Sequence, residues 1–370
     1  MAAYVHRVRI DALHTIKDLD IDLRPGADEP HRFRHLILTG PNGSGKSSAL
    51  RFIVEAIEAH RPEGVQWSEP RTVATVVINI PTHRALGFQP VQGITKIEYD
   101  RTPGRVSAGL SGFLLQYLVN RKAEQAFAGT DGNHAHEAVV KTWFDGFQET
   151  LRWLFEDPGL TLSFESRRLD FTIHRGDGSA HGLRNLADGH GAFLLIFAEI
   201  TLGIDRYVNA LIAAGQEADP GTPTGVVILD EIENHLHLRL QEQALPFLTR
   251  LFPGFQFITA THSPAVIASV PDAVVYDMVE RTATLSAEFV GVRYGTLMTG
   301  HFHLPSEFDL DSTTKLAELK RLAAEHRDVG ADARLHELAD LLSRRSPTLS
   351  YEVWRILHEP APGPGLAAAE

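Results

Sequence analysis

The chain of 370 residues contains no cysteine. Disulfide bonds, thiolate metal sites and cysteine nucleophiles are therefore excluded, and a reducing compartment is favoured, so we expect a cytoplasmic protein. There is no run of about eighteen apolar residues that could span a bilayer, and the N-terminal segment MAAYVHRVRI lacks the apolar core of a signal peptide. The sequence therefore predicts no membrane partner.

Basic charge is scarce relative to acidic charge, since 35 Lys and Arg residues stand against 47 Asp and Glu residues, a net charge of −12. A surface that is basic throughout is excluded, so nucleic acid is a possible partner that the charge does not indicate. The apolar content of 43% and charged content of 22% are those of an ordinary globular protein. The length allows one large α/β domain with insertions or two smaller domains.

A glycine-rich loop follows a short apolar run near the N-terminus. His35–Thr39 has the pattern of a buried strand, and GPNGSGKSS at 40–48 then contains G-x-x-x-x-G-K-[ST] where a strand should turn into a helix. In such a loop, backbone N–H groups and the helix N-terminus face a phosphate chain. The predicted nucleotide-binding residues are Gly40, Pro41, Asn42, Gly43, Ser44, Gly45, Lys46, Ser47 and Ser48. Lys46 would reach the outer phosphates of a nucleoside triphosphate, and Ser47 would hold Mg²⁺.

Two carboxylates end a second apolar strand, VVILDE at 226–231. Asp230 would hold the Mg²⁺ shell, directly or through water, and Glu231 would orient and deprotonate the attacking water. His262 follows a third apolar run, FQFITA, at the strand end where parallel sheets bind ligands. Taken alone, a histidine in this position is more often a loop residue than a ligand contact.

The order of apolar runs predicts parallel βαβ units from Val226 onwards. Two alternating runs within 4–23 predict an antiparallel pair that forms a lid at the edge of the main sheet. A strongly β-branched strand is expected at 72–80, and 94–99 is a candidate strand.

Two apolar stripes at helical spacing, within 110–118 and 139–155, flank a glycine-containing loop and predict a short αα-hairpin. A β-hairpin at 160–174 and a long helix from about Asp188 should follow. Asp311 or Ser312 can cap a later helix, and a second helix carries Leu335, Leu338, Leu341 and Leu342. The predicted organisation is an N-terminal lobe (1–108), a helical insertion (109–158), a C-terminal lobe (159–300), a helical appendage (301–358) and a disordered tail (359–370).

Other signals point to packing or solvation. Three histidine pairs have no third ligand at a suitable spacing, so we expect no metal there: His134 with His136, His235 with His237, and His301 with His303. Trp143 and Trp153 recur at helical spacing, which favours core packing over base stacking.

The motifs GPNGSGKSS, LADGHGAFLLIFAEI, VVILDEIENHLHL and ITATHSP, in this order, resemble the ABC-type ATPase heads of the SMC, RecF and OLD superfamily. They look like those of small bacterial AAA-type ATP-binding proteins often encoded beside anti-phage effector genes. The resemblance covers roughly residues 4–300. It implies an α/β P-loop NTPase fold, an ABC-type head with a mixed, largely parallel sheet, an antiparallel N-terminal lid, a short helical-hairpin insertion and a C-terminal helical appendage. It also implies ATP and Mg²⁺ as ligands and ATPase activity, which the departure at Ala187 described below predicts to be slow.

The resemblance also assigns roles to single residues. Lys46, Glu231 and His262 become catalytic, with His262 as the switch histidine that contacts the γ-phosphate. The signature loop falls at 186–190, where Leu186, Ala187, Asp188 and Gly189 would close in trans over a nucleotide held by another protomer. The segment 234–237 would lie near the seam of that dimer.

Two departures from the family pattern are visible. The family's signature carries a serine where this chain has Ala187, so we predict slower turnover or weaker ATP-driven dimerisation, and Ala187→Ser should raise ATPase activity. Gln89 and Gln92 are both candidates for the Q-loop glutamine, and Arg84 is a candidate contact to phosphate or a partner.

The function implied by the resemblance is a nucleotide-driven homodimeric switch that senses a trigger and controls a separately encoded effector in anti-phage defence. The alternative is a RecF-like or SMC-like DNA-maintenance ATPase whose ATP-bound dimer clamps DNA directly. A stand-alone GTPase or kinase is disfavoured by the adjacent Asp230 and Glu231 and by the THSP segment.

Overall fold

The structure, a computed structural model, describes residues 3–26, 33–70, 75–83, 87–100, 102, 105–186, 188–215, 223–300, 306, 308–325 and 333–358. Backbone contacts divide the chain into two units, residues 1–294 and 295–370. Arg84, Ala187, His301, His303 and the tail at 359–370, all singled out in the sequence, lie outside the described residues.

Strands and helices both occur along the length of the described chain. The strands are β1 (Val5–Leu13), β2 (Ile16–Asp22), β3 (His35–Thr39), β4 (Val65–Trp67), β5 (Val76–Ile80), β6 (Thr161–Glu165), β7 (Asp170–His174), β8 (Ala180–Gly182), β9 (Gly225–Asp230), β10 (Phe255–Ala260), β11 (Ala273–Asp277) and β12 (Thr282–Leu285). The helices are α1 (Lys46–Glu58), α2 (Leu114–Thr130), α3 (His134–Leu154), α4 (Asp188–Ala213), α5 (Leu238–Leu251), α6 (Pro264–Ile267), α7 (Tyr294–Gly300), α8 (Leu310–Glu325), α9 (Ala333–Arg345) and α10 (Pro347–His358).

A six-stranded sheet in the order β12-β11-β3-β10-β9-β5 forms the centre of the first unit. Its strands are parallel except for β12, which pairs antiparallel with β11. Ala260 on β10 is in register with Leu38 on β3 and with Asp230 on β9, so these three strands end at one edge. β3, β9 and β10 are almost fully buried, as expected for parallel strands covered on both faces. The predicted α/β fold with a mixed sheet is confirmed, and its carboxyl edge gathers the motif residues.

The N-terminal strands form a second sheet rather than an edge of the first. β1 pairs antiparallel with β2, as predicted, and β4 pairs with the other side of β1. Apolar residues of this sheet, including Ile10 and Ile21, share one hydrophobic core with Ile53 of α1 and Leu36 of β3. The sheet is therefore attached to the nucleotide-loop helix through side-chain packing.

The insertion is an antiparallel helix pair with aromatic packing. The α2–α3 hairpin is confirmed, although Val139 is exposed and Val140 is the buried member of its stripe. The Trp153 ring stacks on Phe247 of α5 with ring centroids 3.5 Å apart, which confirms core packing for this tryptophan. The candidate strand at 94–99 is wrong: Asn120 of α2 donates its side-chain N–H to the carbonyl of Thr95, so α2 holds this segment where a strand neighbour was expected.

The second unit contains a three-helix assembly of α8, α9 and α10. Its core is rich in leucine and consists of Leu316, Leu319, Leu322, Leu335, Leu338, Leu342, Leu349 and Val353. The cap of α8 was assigned wrongly, because Asp309 accepts the backbone N–H of Ser312 while Asp311 pairs with Lys315 and Arg345. Among the described helices of the chain, none combines the length and apolar character needed to cross a bilayer.

Candidate nucleotide-binding site

The glycine-rich loop connects β3 to α1 and is shaped by left-handed backbone conformations. Gly40, Gly43 and Gly45 have φ values of 133°, 82° and 102°, which L-residues with a Cβ rarely adopt. A Cβ on Gly45 would lie 2.9 Å from Cγ1 of Ile16 at the start of β2. The loop is thus confined by the N-terminal sheet, a contact that the sequence did not reveal.

Lys46 is the first residue of α1 and is only 6% exposed. Its Nζ donates to the carbonyl oxygens of Gly40 at 2.6 Å and Pro41 at 3.0 Å. Burial lowers the pKa of Lys46, and the nearby charges of Glu233, Glu231 and Asp230 act in the opposite direction. The structure therefore brings the loop lysine together with three carboxylates from the end of β9 and the turn that follows it.

Asp230, the last residue of β9, receives a hydrogen bond from outside the predicted motifs. The hydroxyl of Thr82 donates to its Oδ2 at 2.7 Å. Hydrogen-bonded carboxylates are typical of metal sites, because the second contact fixes the orientation of the ligand. Thr82 lies two residues beyond β5, the strand next to β9, which explains the contact.

The oxygen donors fit Mg²⁺ held together with a nucleotide. Asp230 and Ser47, in the first turn of α1, would supply a carboxylate and a hydroxyl oxygen, and Mg²⁺ usually takes one or two protein ligands plus phosphates and water. In the part of the chain that the structure describes, no group of three or more His, Asp or Glu is arranged to hold a metal ion. That finding is compatible with such a site, because phosphate oxygens complete it.

Glu231 begins the turn after β9 in a strained conformation. Its φ of 49° lies in the left-handed region, which is uncommon for residues other than glycine and costs about 1–3 kcal/mol. The turn is fixed by hydrogen bonds from Glu231 N–H to Ala260 O (3.0 Å) and from Asn234 N–H to Glu231 O (3.1 Å). The strain is held by the surrounding structure at the position predicted to orient water.

His262 lies just beyond β10 and is bound by Glu233, which the sequence analysis missed. One carboxylate oxygen of Glu233, Oε1, accepts the backbone N–H of His262 at 2.7 Å and lies 2.9 Å from its Nδ1. The side chain of His262 is 48% exposed, whereas that of Glu233 is 5% exposed. The sequence signal that could have indicated this pair is a second glutamate, Glu233, at the fourth position of DEIE, in a chain that also carries the ITATHSP motif with His262.

The signature segment begins α4 and packs against the turn after β9 in the same chain. A Cβ on Gly189 would lie 3.2 Å from the backbone oxygen of His235. The next residue, His190, stacks on Phe155 at the end of the helical insertion, with ring centroids 4.2 Å apart. The predicted signature and the predicted dimer-seam segment at 234–237 are therefore neighbours, next to the insertion.

The two candidate Q-loop glutamines lie in the exposed segment between β5 and α2. The N–H of Gln89 donates to the carbonyl of Gly112, and its side-chain Nε2 is 3.6 Å from the position of a Cβ on Gly112. Thr82 is the residue of the segment after β5 that contacts Asp230. The structure does not select Gln89 or Gln92 for the predicted role.

Residues 114–268 match the family described as "AAA domain, putative AbiEii toxin, Type IV TA system". This part of the chain is related to that AAA family. The matched AAA-type segment runs from α2 through α6 and includes the signature, β9 with its carboxylates, and His262, whereas the glycine-rich loop precedes it. Over these residues the match agrees with the predicted resemblance to AAA-type ATP-binding proteins, and the described central sheet is mixed and largely parallel, as expected.

Two curated proteins are similar to part of the chain. The Retron Vc95 probable ATPase of Vibrio cholerae serotype O1 biovar El Tor is 28% identical over 123 residues, which are 33% of this chain and 23% of that protein. The Retron Ec83 probable ATPase of Escherichia coli is 32% identical over 114 residues, which are 30% of this chain and 20% of that protein. The chain thus spans less than a quarter of the length of either relative.

Solved structures show a more distant likeness. The Smc head bound to the C-terminal winged-helix domain of ScpA gives a TM-score of 0.37 at 13% identity, covering 76% of this chain and 96% of that one. An Smc head with an extended coiled coil, bound to the C-terminal domain of ScpA derived from Pyrococcus furiosus, gives 0.36 at 11% identity, covering 78% and 98%. TM-scores of this size support no statement about shared function.

Proposed function

We propose that this chain is a slow, Mg²⁺-dependent ATPase that works as a nucleotide-driven homodimeric switch. The observation that carries the proposal is the convergence of Lys46, Asp230 and Glu231 at one sheet edge, with His262 joined to them through Glu233. The relatives named as probable ATPases support the activity. In this proposal, ATP hydrolysis by this chain, its low rate and the homodimer go beyond the observed geometry.

The residues of the site have separate tasks in this proposal. Lys46 and the loop N–H groups bind the phosphate chain, while Ser47 and Asp230 would hold Mg²⁺, which supplies charge neutralisation on the phosphate oxygens when bound. Glu231 orients the attacking water and accepts its proton. His262 contacts the terminal phosphate.

The second subunit follows from the position of the signature. Gly189 packs against the turn after β9, where a Cβ on it would lie 3.2 Å from the backbone oxygen of His235. The start of α4 would therefore serve a nucleotide held by another copy, as a helix N-terminus binds anions. Such a dimer would let hydrolysis control a separately encoded effector in anti-phage defence, a role consistent with the retron names of the two relatives.

The test is the size of the full-length Glu231→Gln variant, measured by light scattering with and without Mg²⁺-ATP. Blocking hydrolysis should trap the ATP-closed dimer, so the mass should double with ATP and return to that of the monomer with ADP. Glu58→Gln, an equal charge change at an exposed position on α1, should behave like the unaltered chain. An unchanged mass with ATP would refute the composite site.

The alternative function, a DNA clamp, is tested with the same protein. Adding duplex DNA should leave ATP hydrolysis unchanged if the chain controls a protein effector. Stimulation by DNA that falls steeply with salt would instead identify the chain as a direct DNA-binding ATPase.

A further inference from the structure

Glu233 is buried and makes two contacts with one residue. Its Oε1 accepts the backbone N–H of His262 and pairs with His262 Nδ1, at 2.7 and 2.9 Å. Its other oxygen, Oε2, is buried and has no hydrogen-bond partner among the described residues. A buried carboxylate is costly unless it is paired, so the position of Glu233 depends on His262 and on the charge of Lys46 nearby.

The backbone on both sides of His262 is fixed independently of its ring. Thr261 N–H donates to Leu38 O at 3.0 Å, and Ser263 N–H donates to Thr261 Oγ1 at 3.0 Å. The Ser263 hydroxyl in turn donates to Gln241 on α5 at 2.7 Å. With this backbone held, the contact of Nδ1 with Glu233 is the one within the described residues that sets the orientation of the half-exposed imidazole ring.

We propose that Glu233 is a positioning residue that keeps His262 protonated on Nδ1 and presents Nε2 as the ring atom for the terminal phosphate of a bound nucleotide. A carboxylate accepts hydrogen bonds only, so the nitrogen facing it must carry the proton. When the ring is charged, Nε2 carries a second proton that it can donate to a phosphate oxygen. This role rests on the proposed ATPase function.

The charged groups around the ring favour its protonated form. The hydrogen bond to Glu233 raises the pKa of His262 above its ordinary value, with a further contribution from Glu231, whereas burial and Lys46 oppose the shift. Burial would raise the pKa of Glu233, but the hydrogen bonds from His262 hold it below its ordinary value. A histidine pKa raised in the folded state stabilises the fold at low pH, and this contribution is lost as pH rises through the raised value.

The first test follows the imidazole nitrogens of the full chain without nucleotide, using ¹⁵N-histidine NMR across pH 5–9 and His262→Gln for assignment. We expect neutral His262 to carry its proton on Nδ1 and its pKa to fall by about one pH unit in Glu233→Gln, since an adjacent opposite charge typically shifts a pKa by that much or more. Glu199→Gln replaces another buried glutamate, one that accepts the N–H groups of Leu110 and Ser111, and should leave the His262 pKa unchanged.

A proton on Nε2 of neutral His262 in the unaltered chain would overturn the inference without any variant, as would equal His262 pKa values in the unaltered chain and a folded Glu233→Gln. If the ring behaves as expected but the unaltered chain does not hydrolyse ATP, the proposed function fails, whereas the control of the His262 tautomer by Glu233 stands.

The second test is a double-mutant cycle on steady-state ATPase kinetics at pH 8. Glu233→Gln should lower kcat by up to about tenfold for a pKa that falls by one pH unit, with little change in KM, because above its pKa the protonated fraction of His262 falls about tenfold per pH unit. In the His262→Gln background the same substitution should have no further effect on kcat. An undiminished effect there would show that Glu233 acts on something other than His262.

Discussion

The glycines of the nucleotide loop occupy positions that a side chain cannot share. At Gly45 two constraints coincide, because φ is 102° and an added Cβ would come within 2.9 Å of the Ile16 side chain. The first constraint concerns the backbone alone, whereas the second concerns packing between the loop and the N-terminal sheet. Gly45 therefore has a structural role in addition to its predicted role in nucleotide binding.

We expect Gly45→Ala to destabilise the fold by about 1–3 kcal/mol and to abolish ATP binding, because the left-handed backbone is strained in alanine and the Ile16 contact pushes the loop out of place. Gly146→Ala is the control: this glycine is in α3 with nothing near its Cβ position, and the change should stabilise by about 0.5–1 kcal/mol. Calorimetry and a fluorescent-ATP titration measure both effects. Normal ATP affinity in Gly45→Ala would contradict the assigned loop geometry.

At the scale of elements, periodicity and motifs predicted the strands that carry the site. The loop after β3, the carboxylates after β9 and His262 after β10 were all expected, because apolar runs of five or six residues ending in polar motifs define parallel strands and their ligand-binding edge. The sequence could not show that these strands lie side by side in register. This register is what brings Lys46 close to Glu233.

The missed features depend on contacts between distant parts of the chain. Thr82 and Asp230 are 148 residues apart, and Glu233 and His262 are 29 apart, so no local pattern links either pair. The false strand at 94–99 has the same origin, because the contact with α2 joins residues that are distant in the sequence. Local pattern thus determines an element's type only where no neighbour competes for its backbone.

The start of α4 gives a prediction at this scale. Gly189→Ala would place a methyl group 3.2 Å from the carbonyl oxygen of His235, so either the helix start or the turn after β9 must shift. We expect ATP-dependent dimerisation of the Glu231→Gln chain to weaken while the fold is retained. Gly191→Ala is the matched control, two residues further along α4 with no atom near its Cβ position, and should dimerise normally.

Light scattering against ATP concentration compares the two variants, and circular dichroism checks their helix content. Equal association of Gly189→Ala and Gly191→Ala would mean that the close contact at His235 has no part in the proposed trans site.

On the scale of the whole molecule, the chain consists of two units with separate hydrophobic cores. The site residues Lys46, Asp230, Glu231 and His262 all belong to the first unit, 1–294. The core of the second unit is built from residues within 308–357. The candidate nucleotide site and the leucine-rich core of the helical appendage therefore belong to different units.

This separation predicts the result of a truncation after Gly300, which keeps α7 complete and removes the three-helix assembly. The shortened chain should remain folded and bind ATP with a dissociation constant within about twofold of the full chain, because effects at independent sites usually combine within about 0.5 kcal/mol. Isothermal titration with a slowly hydrolysed ATP analogue gives the affinity, and Leu338→Ala in the full chain is the companion variant.

Leu338 is fully buried in α9, so its truncation to alanine should weaken the appendage by about 2–5 kcal/mol and leave ATP affinity unchanged. Leu341→Ala, at a 40% exposed position of the same helix, should change neither the stability of the appendage nor the ATP affinity. A loss of ATP binding in both the shortened chain and Leu338→Ala would show that the first unit depends on the appendage, and the two cores could no longer be treated as independent.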